Sequence, residues 1–313
     1  MAESIQHTFF LIKHSLRETK NHYLCSRVMY NLNAKRMKKV LLAVLAFCIL
    51  QALVGVVMAV PMAILGIGPT DPTMCTIMGL ALIISNILTF FICWKVLKVI
   101  EFPETFNGKG IIWKWGLIAI VASMMGVIAG DILSEIVDLP NMIEDMILKM
   151  AYNFWGVLAI AVIGPIAEEL VFREGICGHL MRSGSGIWRA IWISAILFGV
   201  IHFNPAQVPF AILMGVILGI IYAKTGNIVL TSIIHILNNS IAMIEVHALG
   251  EKALDFSIVE WIGGTTIAGI CIIVGFSGCA YLLRMFWESK EVTKVSEVIE
   301  AVRRFKTESQ ISM

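Results

Sequence analysis

Long stretches of this chain carry no Asp, Glu, Lys or Arg: 40 to 70, 72 to 94, 150 to 167, 225 to 244 and 261 to 283. Most hold the roughly 20 apolar residues that a helix needs to cross hydrocarbon at about 1.5 Å per residue. They are continuously apolar rather than alternating, which argues against a β-barrel. Only 15% of the residues are charged and 58% are hydrophobic, whereas soluble domains carry about a quarter charged residues. A soluble single-domain enzyme, a disulfide-stapled secreted module and a disordered chain are therefore excluded. The fold class is an all-α polytopic membrane protein.

Pro and Gly punctuate the apolar stretches into eight predicted helices, at 40–62, 74–97, 112–136, 152–180, 187–203, 208–223, 228–247 and 259–285. The 34 residues from Ala190 to Ala223 lack any Asp, Glu, Lys or Arg and are too long for one crossing. Asn204, Pro205 and Pro209 divide them into two short spans, or into a hairpin sunk partly into the protein. Five regions follow: a cytoplasmic amphipathic segment at 1–39, three spans in 40–147, a core at 148–250, a last span in 251–286 and a cytoplasmic tail at 287–313. Both ends read as interfacial helices. Residues 1–39 are too long and polar for a signal peptide, so the first span is expected to stay as an anchor.

Charge distribution sets the expected orientation. With the N-terminus inside and eight crossings, only Lys149 and Lys252 of the 24 Lys and Arg residues face outward. That partition satisfies the positive-inside rule and predicts a multi-pass cell-membrane protein with both termini cytoplasmic. The net charge of +2 says nothing about nucleic acid, because in a membrane chain the distribution of charge carries the information; the expected partner is the lipid bilayer, with no nucleic acid. Seven cysteines include no C-x-x-C pair, so no disulfide framework is expected.

Ionisable groups inside spans are rare and need a reason. In PIAEELVFREG, Arg173 follows Glu169 by four residues, the favourable order for a helical ion pair. Glu168 then points about 100° away, free to face a cavity as a general base. The fifth predicted helix carries His202, with Phe198 one turn earlier on the same face. The seventh carries His235 and Asn239 at i and i+4, with Asn238 turned aside. Gly215 and Gly219 in the sixth form a small-x-x-x-small spacing that predicts a close helix contact. Asp131 and Glu135 fall near the outer end of the third, where a solvated interface is expected.

Depth joins these groups. Glu168 lies 14 residues before Arg182, His202 lies 13 after Arg189, and His235 and Asn239 lie 11 and 15 after Lys224. All four depths are roughly 16 to 23 Å from the expected cytoplasmic edge. One polar cavity near mid-membrane, opening toward the cytoplasm, accounts for this layer.

A carboxylate, two imidazoles and a carboxamide suit hydrolysis of an acyl compound. Glu168 with His202 would deprotonate water, and His235 with Asn239 would donate to the oxyanion. The same Glu168, His202 and His235 would also serve as ligands of a catalytic zinc, and spacing does not separate the two chemistries. The metalloprotease pattern H-E-x-x-H is missing.

The segments EELVFR (168–173), FGVIH (198–202) and HILNN (235–239) resemble the E-E-x-x-x-R, F-x-x-x-H and H-x-x-x-N motifs of the CPBP intramembrane proteases. These include the type II CAAX prenyl proteases and the bacterial bacteriocin-processing or self-immunity relatives, also called the Abi family. The resemblance covers roughly residues 150–248, including the TGNI run at 225–228. It implies an intramembrane endopeptidase acting on membrane-associated peptides or proteins, which in eukaryotic members are prenylated C-terminal peptides. It further implies Glu168 and His202 as water activators, His235 and Asn239 as the oxyanion hole, and Glu169 and Arg173 as support. A glutamate mechanism without cofactor is the favoured expectation, with zinc as the alternative. Two other classes use the same cavity: a catalytically silent scaffold or self-immunity protein, for which a lost motif residue would speak, and a proton relay, for which paired broken helices would speak. Neither feature is present in the sequence.

Overall fold

A computed structural model describes residues 36–57, 60, 61, 63–67, 71–100, 113–254 and 256–292. The chain divides into two units, Met1–Leu41 and Leu42–Met313. Of the first, only the opening turns of one helix are described. The expected interfacial segments at 1–39 and 287–313 lie outside the described residues except at 36–39 and 287–292.

The described residues form helices and loops, with no strand among them. In chain order the main helices are α1 Arg36–Val57, α2 Pro72–Val96, α3 Trp113–Val137, α4 Glu144–Ala151, α5 Phe154–Arg182, α6 Ile187–Val200, α7 Gln207–Thr225, α8 Ile228–Leu249 and α9 Thr265–Glu288. Among the described residues, seven helices are long and apolar enough to cross a membrane, all of these except α4 and α6. The protein is an all-α, multi-pass membrane protein.

The eight predicted helices all form, but the fifth is shorter than expected. At 14 residues, α6 spans about 21 Å against roughly 30 Å of hydrocarbon. Its chain turns at Phe203, a left-handed residue with φ 50°. The turn then reaches the α3–α4 loop, where Asn204 Nδ2 donates to Asn141 Oδ1 at 2.8 Å and Met142 N donates to Asn204 Oδ1 at 3.0 Å. The sequence reading also left α4 as a loop. Its acidic first turn, Glu144 and Asp145, and Lys149 in its last turn match the helix dipole.

Small residues bring the helices together, as membrane packing requires. A Cβ added at Gly215 would lie 2.8 Å from Ala195 Cα, and one at Gly219 would lie 3.0 Å from Ile191 Cγ2, so the Gly215/Gly219 pair is the close α6–α7 contact expected. Between α3 and α9, Gly126 and Gly275 do the same: their added Cβ atoms would meet Cys279 and Ala129 at 2.8 and 2.7 Å.

The TGNI run is a joint. Gly226 closes α7 in the left-handed conformation at φ 64°, and the Asn227 side chain caps α8 by accepting from Leu230 N at 2.9 Å. Beside it, buried Lys224 donates to the carbonyls of Trp287 and Ser289 at 2.9 and 2.7 Å, satisfying the end of α9. Glu291 accepts from Trp115 Nε1 at 2.6 Å and Val292 is buried. The start of the expected tail, 287–292, is therefore packed rather than interfacial. At the other end of α3, Glu135 accepts from Ile258 N at 2.9 Å and Val259 N at 3.2 Å, so this acid caps the short helix Ile258–Trp261.

Candidate active site

The site is built on a distorted helix. Within α5, Leu158–Ile163 and Glu169–Gly178 are π-helical, a geometry that is rare and concentrated at functional sites. Gly164 N–H reaches back five residues to Ala159 O, and residue 165 is proline, which has no N–H. Neither of the next two donors therefore serves Ile160 O. Asn239 of α8 supplies the missing donor, its Nδ2 lying 2.9 Å from that carbonyl. The Asn239 amide thus fixes α8 against the π-turn and keeps a second N–H. Its Oδ1 accepts from Asn238 Nδ2 at 3.0 Å.

Glu169 and Arg173 pair as their spacing predicts, at 3.2 Å, with side chains 0% and 1% exposed. The sequence did not reveal a second partner: Glu169 Oε1 also lies 3.1 Å from Nδ1 of His235. A carboxylate held ionised by Arg173 accepts only, so Nδ1 carries the proton and Nε2 is the ring nitrogen left for chemistry. That Nε2 stands 3.7 Å from Glu168 Oε2. Glu168 itself faces a cavity, its side chain 18% exposed.

His202 is set by the same logic. Its Nδ1 lies 2.8 Å from the carbonyl of Phe198, which again can only accept, so Nε2 bears the lone pair. The Phe198 ring then packs edgewise against both imidazoles, with centroids 5.1 Å from His202 and 5.7 Å from His235. Arg173 lies 4.4 Å from the centroid of that ring, a cation–π contact. Phe198 therefore connects the two histidines and the buried ion pair.

Glu168, His202, His235 and Asn239 all line one cavity of about 440 Å³. The layer inferred from depth thus lines a single cavity. Its lining runs from Glu168 and His235 past Asn239 and Met243 to Ile143, Ile147 and Gln207, toward the α4 end of the helices. Arg182, Arg189 and Lys224, which mark the end toward which the cavity is expected to open, are not among its lining residues. That end is filled by a second buried network, in which Glu174 pairs with Arg182 at 2.9 Å and accepts from Tyr222 Oη. Helix α4 contributes Ile147, and its N-cap residue Ile143, to the wall. Gln51, Asn86 and Gln207 are polar lining residues that no spacing rule singled out, and Asn238, expected to turn aside, lines the cavity too. Glu168, His202 and His235 do not converge as metal ligands: among the described residues, no three His, Cys, Asp or Glu side chains are grouped so as to hold an ion.

Comparison with known proteins identifies the segment that builds this site. A family model described as type II CAAX prenyl endopeptidase Rce1-like matches residues 150–241, which contain all three motifs. Over this segment the chain is similar to that family. It is an intramembrane peptidase. Among its relatives, the Bacillus subtilis (strain 168) protein named "Putative membrane peptidase YdiL" is 25% identical over 215 residues, covering 64% of this chain and 86% of that protein. The Staphylococcus aureus (strain USA300) protein named "Membrane-embedded CAAX protease MroQ" is 32% identical over 90 residues, covering 27% of this chain and 36% of that one. No solved structure matches the peptidase. Being embedded in the bilayer, it meets substrates that are themselves membrane-associated.

Proposed function

We propose that the peptidase hydrolyses a peptide bond of a membrane-associated peptide or protein with water activated by Glu168 and His202, and with His235 and Asn239 as the oxyanion donors. The observation that carries this reading is the common orientation of the two imidazoles. Each has Nδ1 committed, to Phe198 O or to Glu169, so that Nε2 serves the cavity that Glu168 lines. His202 Nε2 accepts a hydrogen bond from the water and orients it, while Glu168 takes a proton as the water oxygen attacks the carbonyl carbon. The oxyanion receives the second N–H of Asn239 and the Nε2–H of a protonated His235. Glu168 then passes its proton to the amide nitrogen as the C–N bond breaks, which closes the proton balance.

An apolar lining that includes Phe47, Leu82, Phe210 and Met214 suits substrates with apolar side chains near the scissile bond. Zinc-activated water is the competing chemistry, and no step is assigned to it because the three ligand candidates do not converge.

The test uses purified protein in lipid nanodiscs and a library of internally quenched apolar peptides. Glu168→Gln and His202→Ala should each lower turnover at least roughly a hundredfold, the typical scale of general-base loss, and chelators should leave the wild type active. One zinc per chain whose removal abolishes cleavage, and whose occupancy falls in the Glu168, His202 and His235 variants, would replace this mechanism with a metal-bound water. In cells, uncleaved substrates should accumulate when the Glu168→Gln protein replaces the wild type.

A further inference from the structure

Two carboxamides outside the motifs face the same cavity, Gln51 from α1 and Asn86 from α2. Gln51 Nε2 donates to Asn86 Oδ1 at 3.1 Å, and Ser85 Oγ, whose one proton is shared between Leu82 O at 2.9 Å and Gln51 Oε1 at 3.3 Å, lies beside them. With its Oδ1 on Gln51, the Asn86 amide turns its Nδ2 toward Gly164. Asn86 is 4% exposed and lines the cavity, and among the described residues no side chain or carbonyl accepts from that Nδ2, which leaves it as a donor at the cavity wall.

Packing places this donor beside the catalytic helix. Gly79 lets α2 sit directly on α5, since a Cβ there would lie 2.6 Å from the Trp155 carbonyl carbon and 2.8 Å from Gly156 N. Asn86 is seven residues further along, on the same face of α2. It lies against Gly164, where an added Cβ would be 3.9 Å from Asn86 Nδ2. Gly164 precedes Glu168 by four residues, or about 6 Å along the helix.

That distance matches an extended substrate. A scissile carbonyl inside an α-helix is already hydrogen-bonded and wrapped by its neighbours, so a membrane peptide must be unwound before water attacks it. Its freed main-chain groups then need partners within the cavity. Along an extended chain the carbonyls on one edge recur every two residues, about 6.6 Å apart. Resting on the reading of Glu168 as the water-activating base, we propose that Asn86, oriented by Gln51, donates from Nδ2 to a substrate main-chain carbonyl two residues from the scissile one. Gln51 and Asn86 are thus a backbone-binding subsite that holds the unwound strand in register with Glu168. A main-chain contact of this kind is blind to side-chain identity, so it positions the strand and leaves sequence preference to the apolar wall.

The test compares wild type, Asn86→Leu, Asn86→Ser and Gln51→Met in nanodiscs on a quenched apolar peptide that the wild type cleaves. Asn86→Leu should raise KM on the order of tenfold, the loss of one hydrogen bond, with kcat changed less than threefold. Gln51→Met should shift KM in the same direction, and Asn86→Ser, which keeps a donor, should recover part of the loss. The same fluorescent peptide should bind the Glu168→Gln/Asn86→Leu protein about tenfold more weakly than Glu168→Gln alone. If Asn86→Leu fails to fold, Gln51→Met decides the matter. Unchanged KM and binding in the folded variants, with Glu168→Gln still inactive, would overturn the subsite and leave the mechanism standing. A wild type that cleaves no member of the library would overturn both.

Discussion

Glu169 of α5 accepts from Nδ1 of His235 of α8 at 3.1 Å while holding Arg173 at 3.2 Å. The second carboxylate of the E-E pair therefore orients an imidazole besides neutralising a cation. Its neighbour Glu168 meets the opposite edge of the same ring, 3.7 Å from Nε2. Two adjacent acids thus occupy different environments: one fully buried and fixed, the other in contact with the cavity. An acid held between Arg173 and His235 and closed off from the cavity is unsuited to shuttling a proton, which supports the role proposed for Glu168.

Replacing Glu169 by Gln should destabilise the protein before it affects chemistry. The glutamine oxygen still accepts from His235, but Arg173, with its side chain 1% exposed, would lose its anion. Breaking a buried pair by removing one partner costs about 3–5 kcal/mol. Thermal denaturation in detergent should show a large fall for Glu169→Gln, and much of it should be recovered when Arg173→Met is added. A Glu169→Gln protein as stable as wild type but inactive would instead make Glu169 a participant in proton transfer.

Side-selective cysteine labelling should follow the 22-to-2 partition of Lys and Arg. Cysteines at Lys109, Ser185 and Gln310 are expected to react only from the cytoplasm, and one at Glu251 only from outside. Glu251 is the better outer probe than Asn141, whose side chain is engaged by Asn204. A cysteine at Ala206 should label with Glu251, because the α6–α7 turn meets the α3–α4 loop. Labelling of Ala206 with Ser185 would mean that α6 returns without crossing.

Much of this architecture was legible in the sequence because hydrocarbon leaves few choices: charge-free lengths set the helices, and counting residues from basic flanks placed Glu168, His202, His235 and Asn239 in one layer. The Glu169–Arg173 pair followed from i,i+4 spacing alone. Three things were hidden for physical reasons. The Glu169–His235 bond joins residues 66 apart and depends on how α5 and α8 face each other. The π-turns depend on tertiary donors such as Asn239, which local spacing does not reveal. Helix α4 is short, with its charged face outward, so it reads as loop among the apolar spans around it.

The contribution of Glu291 and Val292 to stability can be read from two truncations. Truncation after Val292 should leave activity within a few-fold of wild type, since no site residue lies beyond it. Truncation after Lys290 removes Glu291, which accepts from Trp115 Nε1, and the buried Val292. The shorter protein should melt at a lower temperature, by an amount that reflects roughly 1–3 kcal/mol for a buried donor left unpaired plus the lost apolar contact. Equal melting temperatures would show that Glu291 and Val292 add nothing to stability.

The proposed mechanism gives Asn239 a second task besides its bond to Ile160 O, and one substitution confounds the two while a second separates them. Asn239→Ala removes an oxyanion donor, with an expected fall in kcat of about a hundredfold or more and a small effect on KM, because that hydrogen bond matures only in the transition state. It also strands the Ile160 carbonyl, at a cost of about 1–3 kcal/mol. Pro165→Ala supplies an N–H at the i+5 position that the π-turn already uses one residue earlier, at Gly164 to Ala159. Adding Pro165→Ala to Asn239→Ala should therefore restore part of the lost stability, read as melting temperature, while turnover stays low. Recovery of both together would mean that Asn239 acts only by holding α5, and that the oxyanion is stabilised by other groups.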